Sequence, residues 1–317
     1  MIPLFYGLIG LGLVAWALTA GADFGAGLWD MLAKGKFAAE ERAAIAKAIA
    51  PIWEANHVWL IFIIVLTFTV FPRAFSLMGL YLHLPLTIAL IGIVLRGAAF
   101  TFRAYGLEAP AGQARWGRLF AGSSVLTPLA LGMSLGGLAS GDRLGFFSGW
   151  NSPFAISVGL LAIALFALLA AVYLTVDSSG VMPEAFRRKA ILAEAAAAPV
   201  AGLALWRASV DAPEFFRRLV EWPSGALLQL GAFLAAVTTF WALIRRRYPL
   251  ARMAVILQVV VVILGFGAAM QGEFILGVVS LADAGTRPEV LGTVAWSVGL
   301  GALLLVPALA WLFRMRG

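Results

Sequence analysis

The sequence predicts an all-α integral membrane protein of about nine transmembrane helices, arranged as two parallel four-helix units plus one helix. Three observations carry this. Of the 317 residues, 62% are hydrophobic and only 12% are charged, and the mean hydropathy is +0.96, far outside the range of a soluble domain. Apolar runs of about 20 residues, enough to cross a hydrocarbon core ~30 Å thick, recur along the whole chain. Lys and Arg fall in short clusters between those runs, where they act as topology signals. The net charge of +7 therefore does not point to nucleic acid. Backbone polar groups in lipid must be satisfied within the chain, so the runs are helices.

In chain order the predicted spans are residues 3–29, 51–71, 77–102, 119–140, 153–176, 191–205, 223–244, 253–271 and 290–313. The first begins without a basic leader and is too long for a cleaved signal peptide, so it is expected to be retained. The sixth is the weakest, about 15 residues interrupted by Glu194 and Pro199. The segment from Asp211 to Trp222 reads as a short interfacial stretch on the outer face. With the N-terminus outside and the C-terminus cytoplasmic, sixteen Lys and Arg lie on the inner side against six on the outer, and Arg96 remains within a span. That distribution satisfies the positive-inside rule, and without the sixth span it worsens to 14 against 8. The chain is then one transmembrane domain over 1–317, with 1–140 as the first unit, 153–271 as the second and 290–313 as the final helix. Glycine pairs at four-residue spacing (Gly21 and Gly25, Gly132 and Gly136, Gly137 and Gly141) predict close helix packing within the chain. Trp residues near the helix ends fit an aromatic belt.

The ionisable residues inside the spans carry the functional content. Asp23 lies near the inner end of the first helix, and Glu54 opens the second from the same side. Arg96 and Arg103, seven residues apart, share one face of the third helix. These groups read equally as an ion-paired brace or as a proton-entry relay. His57, three residues after Glu54 and four after Trp53, can carry a proton beside the carboxylate. The chain has two His and no Cys. Covalent c-type haem, thiolate clusters and cysteine copper sites are excluded. His57 and His83 are at depths too different to clasp one haem; a single-His haem stays open. GADFGAG lacks a phosphate-loop pattern, and neither a Ser/His/Asp arrangement nor a metal-ligand spacing occurs.

Three blocks, GADFGAGLWD at 21–30, PIWEANHVWLI at 51–61 and LRGAAFTFR at 95–103, together resemble subunit II of the cytochrome bd family of terminal quinol oxidases. The resemblance covers the first third of the chain; Glu54 stands where some members carry Asp, and His57 where some carry Gln. It implies a protein of the bacterial cytoplasmic membrane, paired with a subunit I that bears the haems (b and d, or b-type) and performs quinol oxidation and O2 reduction. This chain would bind no haem or metal and hold no catalytic residue. A small accessory subunit and a structural quinone or lipid are compatible with it. Asp23 and Glu54 fall at motif positions placed on a cytoplasmic proton route, to which His57 is added for its place beside Glu54; Arg96, Arg103, Trp53, Asn56 and Trp59 would serve as ion-pair or structural partners. A proton-coupled secondary transporter is the alternative from another class, and a purely structural membrane partner is a third reading.

Overall fold

The computed structural model describes residues 1–105 and 110–316; within its helices, side chains at 49–55, 104–105, 110–111, 113–114, 305–306 and 308–316 lie outside the description. Each predicted span falls on helical residues, the third straddling two helices. In order these are α1 (Ile2–Leu32), α2 (Ala38–Val70), α3 (Pro72–Tyr81), α4 (His83–Tyr105), α5 (Pro110–Ala139), α6 (Pro153–Asp177), α7 (Met182–Asp211), α8 (Pro213–Val220), α9 (Pro223–Ile244), α10 (Tyr248–Met270), α11 (Leu281–Ala284) and α12 (Pro288–Arg316). Seven of these are long and apolar enough to cross a membrane, and α2 with α3 forms an eighth, broken candidate. The apolar stretch of α12 that meets the criteria, Pro288–Leu304, is shorter.

Local chemistry explains where the boundaries differ from expectation. The helix expected from residue 51 instead starts at Ala38, because AAEERAAIAKA consists of strong helix formers and buries Ile45. The third span was expected from residue 77, but Pro72 starts the separate α3, which is bent 115° from α2. Pro has no backbone N–H and is best accommodated in the first helical turn, so the chain re-initiates there. The sixth span, expected over about 15 residues, is a 30-residue helix that continues through Pro199. The interfacial stretch folds as α8, with Phe215 and Leu219 buried, Glu214 and Arg217 outward and Arg218 turned in toward Glu273. One element departs from the all-α pattern. A two-stranded hairpin, β1 (Glu273–Ile275) with β2 (Val279–Ser280), follows α10 and docks on the end of α5 through Leu276 N–H donating to Leu138 O.

At the centre is α6, buried on all sides from Leu165 to Val172, as expected of a helix that is apolar all round. It packs on α1, α5, α7 and α10. A Cβ at Gly25 would stand 1.9 Å from the Phe166 carbonyl oxygen, and one at Gly132 would be 2.6 Å from the Gly159 Cα. Two of the predicted glycine pairs therefore set helix contacts, α1 and α5 each against α6. The third does not, because Gly141 lies beyond the end of α5 with φ +62.

Candidate functional site

The site lies where α1, α2, α4 and α5 meet. Arg96 of α4 is 2% exposed and Asp23 of α1 is 1% exposed. They form a two-pronged ion pair: Arg96 Nη1 donates to Asp23 Oδ2 (2.7 Å), while Nη2 donates to Oδ1 (2.8 Å) and to the Asp23 carbonyl (2.9 Å). Nε donates to Ser124 Oγ of α5 at 2.9 Å. The guanidinium plane is enclosed by two rings, with Cζ 4.9 Å from the Phe24 centroid and 4.5 Å from that of Phe120. An arginine can occupy so dry a position only because nearly all of its N–H groups and both ring faces are matched.

Small residues make this geometry possible. Ser124 reaches Arg96 because Gly27 leaves room; a Cβ there would be 2.1 Å from Ser124 Oγ. Gly25 and Gly21 hold α1 against α6, and Trp29 locks that contact by donating Nε1–H to Ala167 O at 2.7 Å. The glycines of GADFGAG thus give the carboxylate a rigid mount.

A second rung repeats the first. Arg103 Nη1 and Nη2 donate to Asp30 Oδ2 (2.8 Å) and Oδ1 (3.0 Å). Here the arginine side chain is 28% exposed and the aspartate 6%. Phe120 borders both rungs, its centroid 5.9 Å from Arg103 Cζ. Each pair spans 73 residues, and within each helix the two members are seven apart, ~10.5 Å along the axis. Rungs in the same order require α1 and α4 to run parallel, so α2 and α3 must return the chain between them.

Asn56 of α2 completes the polar group. Its Nδ2 donates to Asp23 Oδ2 at 2.9 Å, and its Oδ1 lies 3.2 Å from Thr19 Oγ1. Beside it, Asp23, Asn56, His57, Arg96, Trp16, Phe24, Leu60 and Ile93 line a cavity with room for about one water. His57 is half-buried on its wall, and Trp59 meets Phe62 edge-on, 6.4 Å between centroids. Of the residues singled out in the sequence, Asp23, Asn56, His57 and Arg96 are therefore brought together, and Arg103 stands one rung away. Glu54 and Trp53 belong to α2, but their side chains lie outside the described residues. Sequence reasoning missed Asp30, Ser124, Phe24 and Phe120. Asp30 was legible, since Asp23/Asp30 and Arg96/Arg103 have the same seven-residue spacing; the other three depend on which helices meet.

His83, at the start of α4, stacks on Phe146 with centroids 4.0 Å apart and sets Nδ1 3.0 Å from Leu80 O. Among the described residues no group of three or more His, Asp or Glu side chains could hold a metal ion.

A family model described as cytochrome bd terminal oxidase subunit II matches residues 1–316. The chain belongs to that family. Among curated subunit II relatives, cytochrome bd-I ubiquinol oxidase subunit 2 of Escherichia coli K12 is 28% identical over 185 residues, 55% of this chain and 48% of that one. Cytochrome bd ubiquinol oxidase subunit 2 of Bacillus subtilis 168 is 32% identical over 101 residues, 32% of this chain and 29% of that one. The aligned part therefore spans about half or less of these relatives. The subunit II fold is also similar to a chain from the structure of bd oxidase from Geobacillus thermodenitrificans, with TM-score 0.80 and 24% identity, covering 99% of this chain and 98% of the other. Family and apolar helices together identify a multi-pass protein of the bacterial cytoplasmic membrane.

Proposed function

We propose that this chain is the haem-free subunit of a bd-type quinol oxidase, which oxidises quinol and reduces O2 to water, and that it scaffolds a haem-bearing subunit I. The observation that carries the reading is the family match across residues 1–316, supported by the rigid, ion-paired interior around Asp23 and Arg96. The residues present do not fit a haem: His57 faces a cavity about one water in size, and His83 is stacked against Phe146. No step is therefore routed through a haem on this chain. The distribution of Lys and Arg supports an N-terminus outside and a C-terminus inside, with residues 1–140 and 153–271 read as two four-helix units. A reporter fused at Arg246 should read as cytoplasmic; an external reading would remove that orientation.

Reduction of O2 consumes protons at a buried centre, so the complex needs a path for them. Asp23 and His57 both line the cavity between α1 and α2, and the geometry favours different parts for them. Both Asp23 oxygens are held by donors from Arg96, and Asn56 adds a third. A proton on Asp23 would neutralise the carboxylate that faces Arg96 and leave the guanidinium charge uncompensated. Asp23 thus serves best as a fixed counter-charge, while His57, on the cavity wall, is the group that binds and releases protons there; Glu54, three residues before it in the sequence, remains a proposed member of the route from the resemblance alone.

The test is purification of the membrane complex by a tag on this chain, followed by an optical spectrum and quinol-driven oxygen consumption. Co-purified haem on a second polypeptide, with oxygen consumption, is expected. A stable haem-free homo-oligomer that transports a solute would overturn the reading in favour of a transporter.

A further inference from the structure

A second intramembrane carboxylate has no part in the site above. Glu194 lies on α7, twelve residues from its start, ~18 Å along the helix, and is 6% exposed. Oε1 accepts from Gln258 Nε2 of α10 at 3.0 Å, while Oε2 is buried with no hydrogen-bond partner. Beyond Gln258 stands Thr239 of α9, fully buried, its Oγ1 3.4 Å from Gln258 Oε1 and 2.9 Å from Ala235 O.

The cations on surrounding elements are committed elsewhere. Lys189 of α7 pairs with Glu41 of α2, Arg252 of α10 with Asp177 of α6, and Arg187 and Arg246 with Glu184. Tyr173 of α6 faces Arg252. Arg207 and Asp211 pair with each other where α7 meets α8, whose Glu214, Arg217 and Arg218 are grouped there too. An ionised Glu194 would be a buried charge compensated by one neutral amide, which is among the costliest arrangements in a membrane interior.

The Gln258 amide resolves the difficulty if it is turned over, since its oxygen and nitrogen ends have nearly the same shape and can exchange places. A protonated Glu194 Oε1 then donates to Gln258 Oε1, Gln258 Nε2 donates to Thr239 Oγ1, and the single Thr239 hydroxyl proton goes to Ala235 O. Each contact in this chain then pairs one donor with one acceptor. In the unturned arrangement the Thr239 hydroxyl faces two acceptors with one proton. We infer that Glu194, Gln258 and Thr239 form a buried proton-binding site between α7, α10 and α9, in which Glu194 is a neutral acid at neutral pH and the amide turns when the proton returns to water.

The test is infrared difference spectroscopy on the assembled complex, wild type against Glu194→Gln, in H2O and in D2O. The expected result is the loss of one carboxylic-acid carbonyl band that shifts in D2O. Loss of an ionised-carboxylate band instead would overturn the inference. Should Glu194→Gln fail to assemble, Thr239→Val removes the end of the donor chain and should move the same acid band; an unmoved band would overturn the inference equally.

Discussion

Removing the charge of Asp23 should damage the protein chiefly by stranding Arg96. In Asp23→Asn the new amide nitrogen must face at least one donor: Arg96 Nη2 at the Oδ1 position, or Arg96 Nη1 and Asn56 Nδ2 at the Oδ2 position. Breaking a buried pair by removing one partner costs about 3–5 kcal/mol. The double replacement Asp23→Leu with Arg96→Met should cost far less, because Met can fill the space between the Phe24 and Phe120 rings. The main residual is then Asn56 without its acceptor, about 1–3 kcal/mol. Two independent losses would instead sum to about 6–10 kcal/mol. The assay is the yield and thermal midpoint of the haem-containing complex, followed by oxygen consumption per haem. A double variant no more stable than either single one would refute the brace. A double variant that assembles fully yet cannot turn over would show that the Asp23–Arg96 pair serves turnover as well as bracing the helices.

Two further outcomes follow from local geometry. Gly25→Ala should separate α1 from α6 and sharply lower complex yield, since its Cβ would meet backbone at 1.9 Å, whereas Gly7→Ala, with nothing within 4 Å, should be neutral; equal yields for the two would contradict the close packing. At α8, the hydrogen bonds from Arg217 and then Arg218 lower the Glu214 pKa from 4.5 to about 2. The stability they contribute is present above pH 4.5 and lost as pH falls toward 2. Protease sensitivity at α8 should therefore rise over that interval in wild type, and Glu214→Gln, sensitive throughout, should show no such step.

Hydropathy made the helices legible because the membrane imposes a length and forbids unpaired backbone, so each apolar run in the sequence had one available conformation. The level shared by Asp23 and Arg96 was legible for a similar reason, since helix rise converts sequence distance into depth. Lateral relations were not. That Phe24 and Phe120 enclose Arg96, or that Gly27 admits Ser124, depends on which helices are neighbours, and local pattern does not contain that. The break between α2 and α3 was signalled by Pro72 but masked by apolar residues on both sides. Glu194 and Pro199 made α7 look short because hydropathy counts a buried acid as polar whether or not it bears a charge.

The spacing of 73 residues between each aspartate and its arginine also sets an order of events during synthesis. Asp23 and Asp30 emerge from the ribosome before either cation exists; at roughly 5–20 residues per second the interval is about 4–15 s. For that time α1 carries two carboxylates in its C-terminal third with neither guanidinium available; an acid costs about 2.5–3.5 kcal/mol to insert at a helix centre, and these nearer the end cost a part of that. The first helix therefore gains its full stability in the bilayer only when α4 enters beside it, and truncation between them would leave α1 without the partners that its sequence presupposes.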